Sequence, residues 1–191
     1  MSDHGEDRSE RLGAVPSLAG EDFVCVSCGF SFAEISVERA IQAISLVPGE
    51  VRAVVSAMPL EAQRVRSNRE CWSITEYVCH LRDVYATYTI RLHRAVNEFE
   101  PMLEPLFNNL RAQRFRYNEL EVKAVLPELD ANVAGFLEEA SHTRNNQWSR
   151  IVTRLPGETR TARWLVRQVM HEGTHHLDDI CRTMAVVSKM T

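Results

Sequence analysis

The 191-residue sequence has no apolar stretch that approaches 18 residues, and its acidic, polar N-terminal region lacks the apolar segment of a secretory signal. No segment of such a chain is expected to cross a bilayer as a helix. The chain also lacks a sustained run of basic residues, and its net charge is −4. A nucleic-acid partner is therefore not expected. These absences predict a cytoplasmic protein without a membrane partner.

The sequence lacks a second cysteine pair. Of the five cysteines, only Cys25 and Cys28 lie in one motif, Cys-x-x-Cys-Gly. This motif resembles half of a zinc knuckle, because two thiolates at this spacing chelate one metal ion whereas a structural zinc needs four ligands. A thioredoxin-like redox motif would need a βαβ setting, which the sequence does not predict. Two reduced thiols, or a site completed by a histidine or by a second protomer, are the alternatives.

The sequence shows no strand-like alternation of apolar and polar residues, and its apolar residues recur with the period of a helix instead. Apolar residues recur every three to four positions in four stretches, at about residues 37–57, 73–97, 120–142 and 161–187. Ser73 and Glu76 have the spacing of a capping box, and Thr161 is the expected N-cap of the last helix. Pro48 is expected to break or kink the first helix. Four long helices without strands predict an all-α four-helix bundle.

Composition divides the chain into three parts. Residues 1–20 are polar and aperiodic, so we expect a disordered tail. Residues 21–33 contain the cysteine pair and form a short irregular N-terminal extension. Residues 34–191 are long enough to bury a core, and we expect them to form the bundle as one domain.

Histidines lie on two of the predicted helices. His171 and His175 are four residues apart, which places them one turn apart on the same helical face, where they can share a metal ion. His80 lies within the polar stripe of the second helix, and bundles build metal sites from polar side chains on facing helices. The spacing therefore predicts a metal site of His80, His171 and His175 with open coordination positions. The alternative is that both stripes are solvated surfaces. His176, about 100° further around the helix, is expected to orient a ligand or to pack.

The segment from His171 to His175 also fits the H-E-x-x-H signature of zinc proteases, with Glu172 as the base. Such proteases usually take their third ligand from further along the chain. Only 16 residues follow His175, and they contain no Glu and no His beyond His176. No strand is predicted with which a peptide substrate could pair. We interpret the protease match as accidental.

Two longer motifs resemble those of the DinB-like superfamily. They are Trp-Ser-x-x-Glu-x-x-x-His-Leu-x-Asp at residues 72–83 and His-x-x-x-His-His-Leu-x-x-Ile at residues 171–180. The resemblance covers about residues 35–190 and implies a four-helix bundle of unusual connectivity, often a homodimer. It also implies a divalent metal, zinc or nickel, bound by one histidine of the second helix and two of the last. The matching positions are His80, His171 and His175. The cysteine-containing opening resembles an actinobacterial subgroup.

The superfamily includes metal-dependent hydrolase-like proteins and thiol S-transferases or isomerases that use bacillithiol or mycothiol. The resemblance thus implies a small-molecule substrate, and the excess of arginine over lysine, 20 to 2, favours an actinobacterial protein with mycothiol as thiol cosubstrate. A metal-bound thiol loses its proton and becomes a nucleophile, which gives a transferase, whereas a metal-bound water gives a hydrolase. Glu76 and Asp83 are the expected catalytic bases. A third hypothesis is a non-catalytic metal-containing protein that binds a ligand or responds to stress.

Overall fold

The computed structural model describes residues 17–190, which form six α-helices and one short β-hairpin. In chain order they are α1 (Val37–Ser56), α2 (Leu60–Gln63), α3 (Ile74–Asn97), α4 (Asn108–Arg114), α5 (Val122–His142), β1 (Ile151–Thr153), β2 (Thr159–Thr161) and α6 (Ala162–Val187). The helices α1 and α3 each pack against both α5 and α6, which closes a ring of four long helices. The predicted all-α four-helix bundle is confirmed. Within residues 17–190, no helix combines the length and the apolar character needed to span a bilayer.

Local sequence signals set the helix starts. The backbone N–H of Glu76 donates to Ser73 Oγ (3.2 Å), and the Glu76 carboxylate accepts from the Ser73 N–H (2.9 Å), so the predicted capping box begins α3. Thr161 caps α6 as predicted, accepting from the backbone N–H of Trp164 at 3.1 Å.

Pro48 lies inside α1 without ending it. Val47 and its neighbours on that face of α1 are fully buried, and this packing offsets the cost of about 3 kcal/mol that proline imposes on a helix interior.

The hairpin joins α5 to α6 and was not predicted. Its strands are three residues each, with Val152 opposite Arg160, and they are too short to show a sequence alternation. The Arg160 guanidinium donates to the backbone oxygens of Leu18 (2.7 Å) and Ala19 (2.6 Å). The last residues of the predicted 1–20 tail therefore contact the hairpin, whereas residues 1–16 lie outside the described part of the chain.

A close approach of α6 to α1 and α3 positions the site. Gly173 lies at this contact, where an added Cβ would be 2.5 Å from Tyr85 Oη and 2.9 Å from Val47 Cγ2. Both Tyr85 and Val47 are fully buried, and the Tyr85 ring packs edge-on against Phe136 at 6.3 Å. Because Gly173 has no side chain, α6 lies near enough to α3 for their polar side chains to meet.

Candidate metal centres

The first cluster joins α3 to α6 and consists of His80, Glu172 and His176. Nε2 of His80 and Nε2 of His176 each lie 3.2 Å from the same Glu172 oxygen, Oε2. One ligand atom from each residue lies within 4.8 Å of the other two. Two imidazole nitrogens and one carboxylate oxygen are a ligand set that divalent transition metals accept, and three protein ligands leave coordination positions open.

The helical spacing and the surrounding rings explain this cluster. Glu172 and His176 are four residues apart, so they lie one turn apart on the face of α6 that meets α3. His80 is buried, with 2% of its surface exposed, and its ring packs edge-on against Trp72 at 5.0 Å. The His80 and His176 rings are also edge-on, with centroids 4.9 Å apart.

The charges of the cluster favour a cation. Burial raises the pKa of the Glu172 carboxyl, but hydrogen bonds with His176 and His80 lower it well below its ordinary value. Burial lowers the pKa of the His80 imidazole, which keeps that ring neutral. Burial also lowers the pKa of His176, but hydrogen bonds with Asp179 and Glu172 outweigh it and raise that pKa to about 9. A metal ion at this cluster would meet a carboxylate and a neutral imidazole, and it would replace one proton on His176.

Asp179 and Gln168 orient the ligands from outside. Asp179 Oδ2 lies 3.0 Å from His176 Nδ1, which turns the opposite nitrogen towards Glu172. A carboxylate on the outer nitrogen is the usual arrangement for a metal-binding histidine. The Gln168 amide donates to Glu172 Oε1 at 2.7 Å, so that Oε2 faces the two imidazoles.

A second cluster brings the cysteine pair to the other two histidines of α6. Ligand atoms of Cys25, Cys28, His171 and His175 all lie within 4.8 Å of one another. Sγ of Cys25 is 3.8 Å from Nδ1 of His175. Burial raises the pKa of the Cys25 thiol, but hydrogen bonds from the backbone of Cys28 and Ser27 outweigh it and lower that pKa. The structure thus adds two histidines to the half site recognised in the sequence.

The three histidines predicted as one site are divided between these clusters. Among residues 17–190, no group with ligand atoms within 4.8 Å of one another combines His80 with His171 and His175. Positions 172 and 176 are rotated by about 100° from positions 171 and 175, and this rotation turns them towards α3. Sequence reasoning paired the two histidines at i and i+4, and it therefore did not include Glu172 among the ligands and gave His176 a supporting role; the three-histidine site stays a prediction.

Glu76, one of the two predicted bases, stabilises the start of α3. Its buried carboxylate accepts from the Ser73 backbone (2.9 Å) and from Arg66 Nε (2.8 Å). Within residues 17–190 it belongs to none of the groups of side chains that could bind a metal. Its catalytic role stays a prediction, and the contacts seen are those of a helix cap.

Asp83, the other predicted base, lies among cationic and phenolic donors. It accepts from Arg111 Nε (3.0 Å), from Arg82 Nε (2.8 Å) and from the Tyr117 hydroxyl. Burial raises the pKa of Asp83, but these hydrogen bonds outweigh it and lower that pKa. Asp83 is likewise outside both clusters, and its contacts tie α3 to the α4 region. A carboxylate engaged in this way is a weak base, and its catalytic role stays a prediction.

A cavity of 470 Å³ opens beside the first cluster, with Glu172 and Trp72 in its wall. Two arginines line it. Arg91 is 7% exposed and donates to the backbone oxygen of Glu104, and Arg154 pairs with Glu158 at 2.9 Å. The remaining lining includes amide and apolar side chains: Asn108, Asn109, Gln168, Tyr88, Leu106 and Phe107. The first cluster therefore lies at the wall of a small-molecule-sized cavity that also contains the Arg91 guanidinium.

Comparisons with solved structures agree with this fold. One similar structure is YfiT from Bacillus subtilis, which is described as a probable metal-dependent hydrolase with an unusual four-helix bundle topology. It aligns with a TM-score of 0.74 at 15% identity, and the alignment covers 88% of this chain and 93% of that chain. The mycothiol-dependent maleylpyruvate isomerase aligns with a TM-score of 0.64 at 16% identity, over 79% of this chain and 63% of that chain. A mutant of that isomerase aligns with the same TM-score and coverage at 17% identity. At these identities the likeness shows the fold alone.

The sequence comparisons identify the family. No curated protein matches the chain significantly. The family model described as the DinB superfamily matches residues 43–180, which is more than half of the chain and includes His80, Glu172 and His176. The chain belongs to the DinB superfamily.

Proposed function

We propose that this protein is a metal-dependent thiol S-transferase of the mycothiol type, with its metal bound by His80, Glu172 and His176. The observation that carries the proposal is that this ligand cluster borders a cavity lined by two arginines and several amides. The product of such a reaction is a thioether, or an isomerised substrate if the thiol leaves again.

The donor set fits a divalent metal such as zinc or nickel. Three ligand atoms converge within 4.8 Å, one of them on a carboxylate held anionic by its neighbours. Gln168 and Asp179 fix the orientations of Glu172 and His176 from outside the cluster. When bound, the metal supplies the Lewis acidity that deprotonates a coordinated thiol near neutral pH.

The arginines of the cavity define the class of electrophile. Guanidinium groups bind carboxylates with two parallel hydrogen bonds, and a buried cation attracts an anion more strongly than an exposed one. Arg91 donates to a backbone oxygen, a contact that leaves its positive charge unneutralised. We therefore propose a small electrophile that bears at least one carboxylate, bound with that group towards Arg91, whereas Arg154 is already paired with Glu158.

The apolar part of the lining serves a different purpose. Trp72, Tyr88 and Phe107 cover part of the cavity wall. By excluding water they strengthen the electrostatic interactions within the cavity and limit hydrolysis of a reactive substrate. A polar thiol cosubstrate would occupy the side lined by Asn108, Asn109 and Gln168, whose amides offer both donors and acceptors.

A metal-dependent hydrolase is the second candidate function. It is favoured by the alignment with YfiT, which covers more of this chain than the alignment with the isomerase does. In that case water takes the place of the thiol, and the same ligands and arginines serve. The cavity beside the cluster favours either enzyme over a metal-containing protein without a substrate.

The test is a substrate panel with the metal-loaded, untagged protein. Mycothiol is incubated with a carboxylate-bearing electrophile and with its neutral methyl ester, and thioether formation is followed by mass spectrometry. We expect thiol-dependent product with the acid, a higher KM with the ester, and loss of activity in His80→Ala. His93→Ala is the matched control, because His93 is an exposed histidine of the same helix. Turnover of ester or amide substrates without any thiol would contradict the transferase proposal in favour of the hydrolase.

A further inference from the structure

We propose that Cys25, Cys28, His171 and His175 form a second metal site, a closed structural zinc centre that fastens the N-terminal knuckle to α6. The observation behind it is the convergence of four soft or borderline ligands from two separate parts of the chain. Four protein ligands leave no open position, so this site serves structure rather than catalysis.

The distances suit tetrahedral zinc. Zinc bonds of about 2.0–2.3 Å place neighbouring ligand atoms roughly 3.3–3.8 Å apart. The four ligand atoms all lie within 4.8 Å of one another, and Cys25 Sγ is 3.8 Å from His175 Nδ1. The proposal requires that small side-chain rotations bring the remaining atoms to bonding distance.

The backbone of the knuckle is preformed. The Cys25 N–H donates to the Phe30 oxygen and the Gly29 N–H donates to the Cys25 oxygen, both at 2.8 Å. Gly29 has φ of +71°, a left-handed conformation that favours glycine directly after the second cysteine. This tight turn holds both sulfur atoms on one side, facing α6.

One of the two histidines has a buried nitrogen without a partner, and the other is oriented by its contacts. Nε2 of His171 is buried and has no hydrogen-bond partner among the described residues, although its ring is held between Phe30 (5.1 Å) and Phe32 (5.5 Å). A buried polar atom without a partner is costly, which indicates a ligand at this position. His175 directs Nδ1 towards Cys25, and its Nε2 lies 3.5 Å from Asp179, the carboxylate partner typical of a metal-bound histidine.

The second site also bears on the first. Ligands of the two sites alternate along the same two turns of α6, and the His175 and His176 rings are 5.3 Å apart. Asp179 Oδ2 lies near both rings, at 3.5 Å from His175 Nε2 and 3.0 Å from His176 Nδ1. The first cluster, His80, Glu172 and His176, is the open site, because it leaves coordination positions free. A zinc ion in the closed site would therefore fix the helical segment and the shared carboxylate on which the open site depends.

The experiment measures metal content on the full, untagged chain. We expect two zinc equivalents in wild type, and one in Cys25→Ser and in Cys28→Ser. Cys71→Ser is the matched control, because it removes a partly buried cysteine outside the cluster, and it should keep both equivalents. His80→Ala should lose the other equivalent, so that failure of the closed site and failure of the proposed function are distinguished.

A spectroscopic measurement removes the dependence on cysteine variants that fold poorly. In His80→Ala loaded with zinc, X-ray absorption should show two sulfur ligands at about 2.3 Å and two nitrogens. Cobalt substitution should give a thiolate charge-transfer band. Two sulfurs absent from the zinc shell, or wild-type protein that takes up zinc only at the open site, would overturn the proposal. A native Cys25–Cys28 disulfide that persists with zinc in excess would overturn it in favour of a redox pair.

Discussion

Replacing Gly173 with alanine tests whether the close approach of α6 to α3 and α1 is real. An alanine Cβ at this position would lie 2.5 Å from Tyr85 Oη and 2.9 Å from Val47 Cγ2. Tyr85 and Val47 are fully buried, so the Cβ can be accommodated only if these packed side chains or the helices shift. We expect α6 to move away from α3, which separates His80 from its partners on α6.

The expected loss follows from two opposing effects. Alanine is more favourable than glycine in a helix by about 1 kcal/mol. Overpacking a filled core costs roughly 1–3 kcal/mol, and two contacts below 3.0 Å place Gly173→Ala in the upper part of that range. We expect a net destabilisation of about 1–2 kcal/mol, which for a chain of this size lowers Tm by roughly 2–8 °C.

Gly135→Ala and Gly49→Ala provide matched controls for the assay. Both glycines lie within helices, and an added Cβ at either position would meet nothing within 4 Å. These variants should gain about 0.5–1 kcal/mol from helix propensity. Urea unfolding of the three variants compares them directly, and metal titration shows whether Gly173→Ala also weakens the open site. If Gly173→Ala is as stable as Gly135→Ala, the helix packing described above is incorrect.

Three further predictions concern single side chains. Asp179→Asn should weaken metal binding at the open site by about 10- to 100-fold in a chelator competition, because the outer partner of His176 loses its charge; unchanged affinity would deny Asp179 that role. Asp83→Asn should cost about 1–3 kcal/mol in urea unfolding at pH 7, because Arg82 and Arg111 lose their carboxylate. Since the pKa of Asp83 is lowered in the folded protein, its contribution is present above the ordinary aspartate pKa and disappears as pH falls through the folded-state pKa. The difference between wild type and Asp83→Asn should therefore shrink on acidification, and a constant difference would contradict this assignment. Cys79 should resist alkylation at pH 8 until the protein is unfolded, because burial raises the pKa of its thiol to about 12. Peptide mapping measures the modification, and modified Cys79 in the native protein would show that α3 is more open than described.

The sequence predicted the bundle because its signals are local. Apolar periodicity, the Ser73–Glu76 capping box and the Thr161 cap are complete within a few residues, and all three occur in the structure. The hairpin was missed because three-residue strands carry too few positions for an alternation. Pro48 was expected to break or kink α1, but it does not end the helix, because the packing of Val47 and its buried neighbours, which involves distant residues, offsets the cost of the proline.

The site was harder to predict, since it depends on how α6 is rotated. Two histidine-containing pairs have the same i, i+4 spacing, 171 with 175 and 172 with 176, and spacing alone favoured the pair with two histidines. The positions on the helical wheel are a second signal, which favours Glu172 and His176. Glu172 and His176 lie about 100° and 60° from Gly173 in the apolar stripe, whereas His175 lies roughly 160° away. The partnership of His171 and His175 with Cys25 could not be predicted, because 146 residues separate His171 from that cysteine and no local pattern records such a contact.

The central claim is that His80, Glu172 and His176 bind one metal ion together. The metal content of single variants tests this claim most directly. Untagged protein is loaded with zinc, desalted and measured by mass spectrometry. We predict that His80→Ala, Glu172→Ala and His176→Ala each lose the same single equivalent and that His171→Ala keeps it. If Glu172→Ala and His176→Ala keep that equivalent while His171→Ala loses it together with His80→Ala, the three-histidine site predicted from the sequence is correct and the cluster described here is not the metal centre.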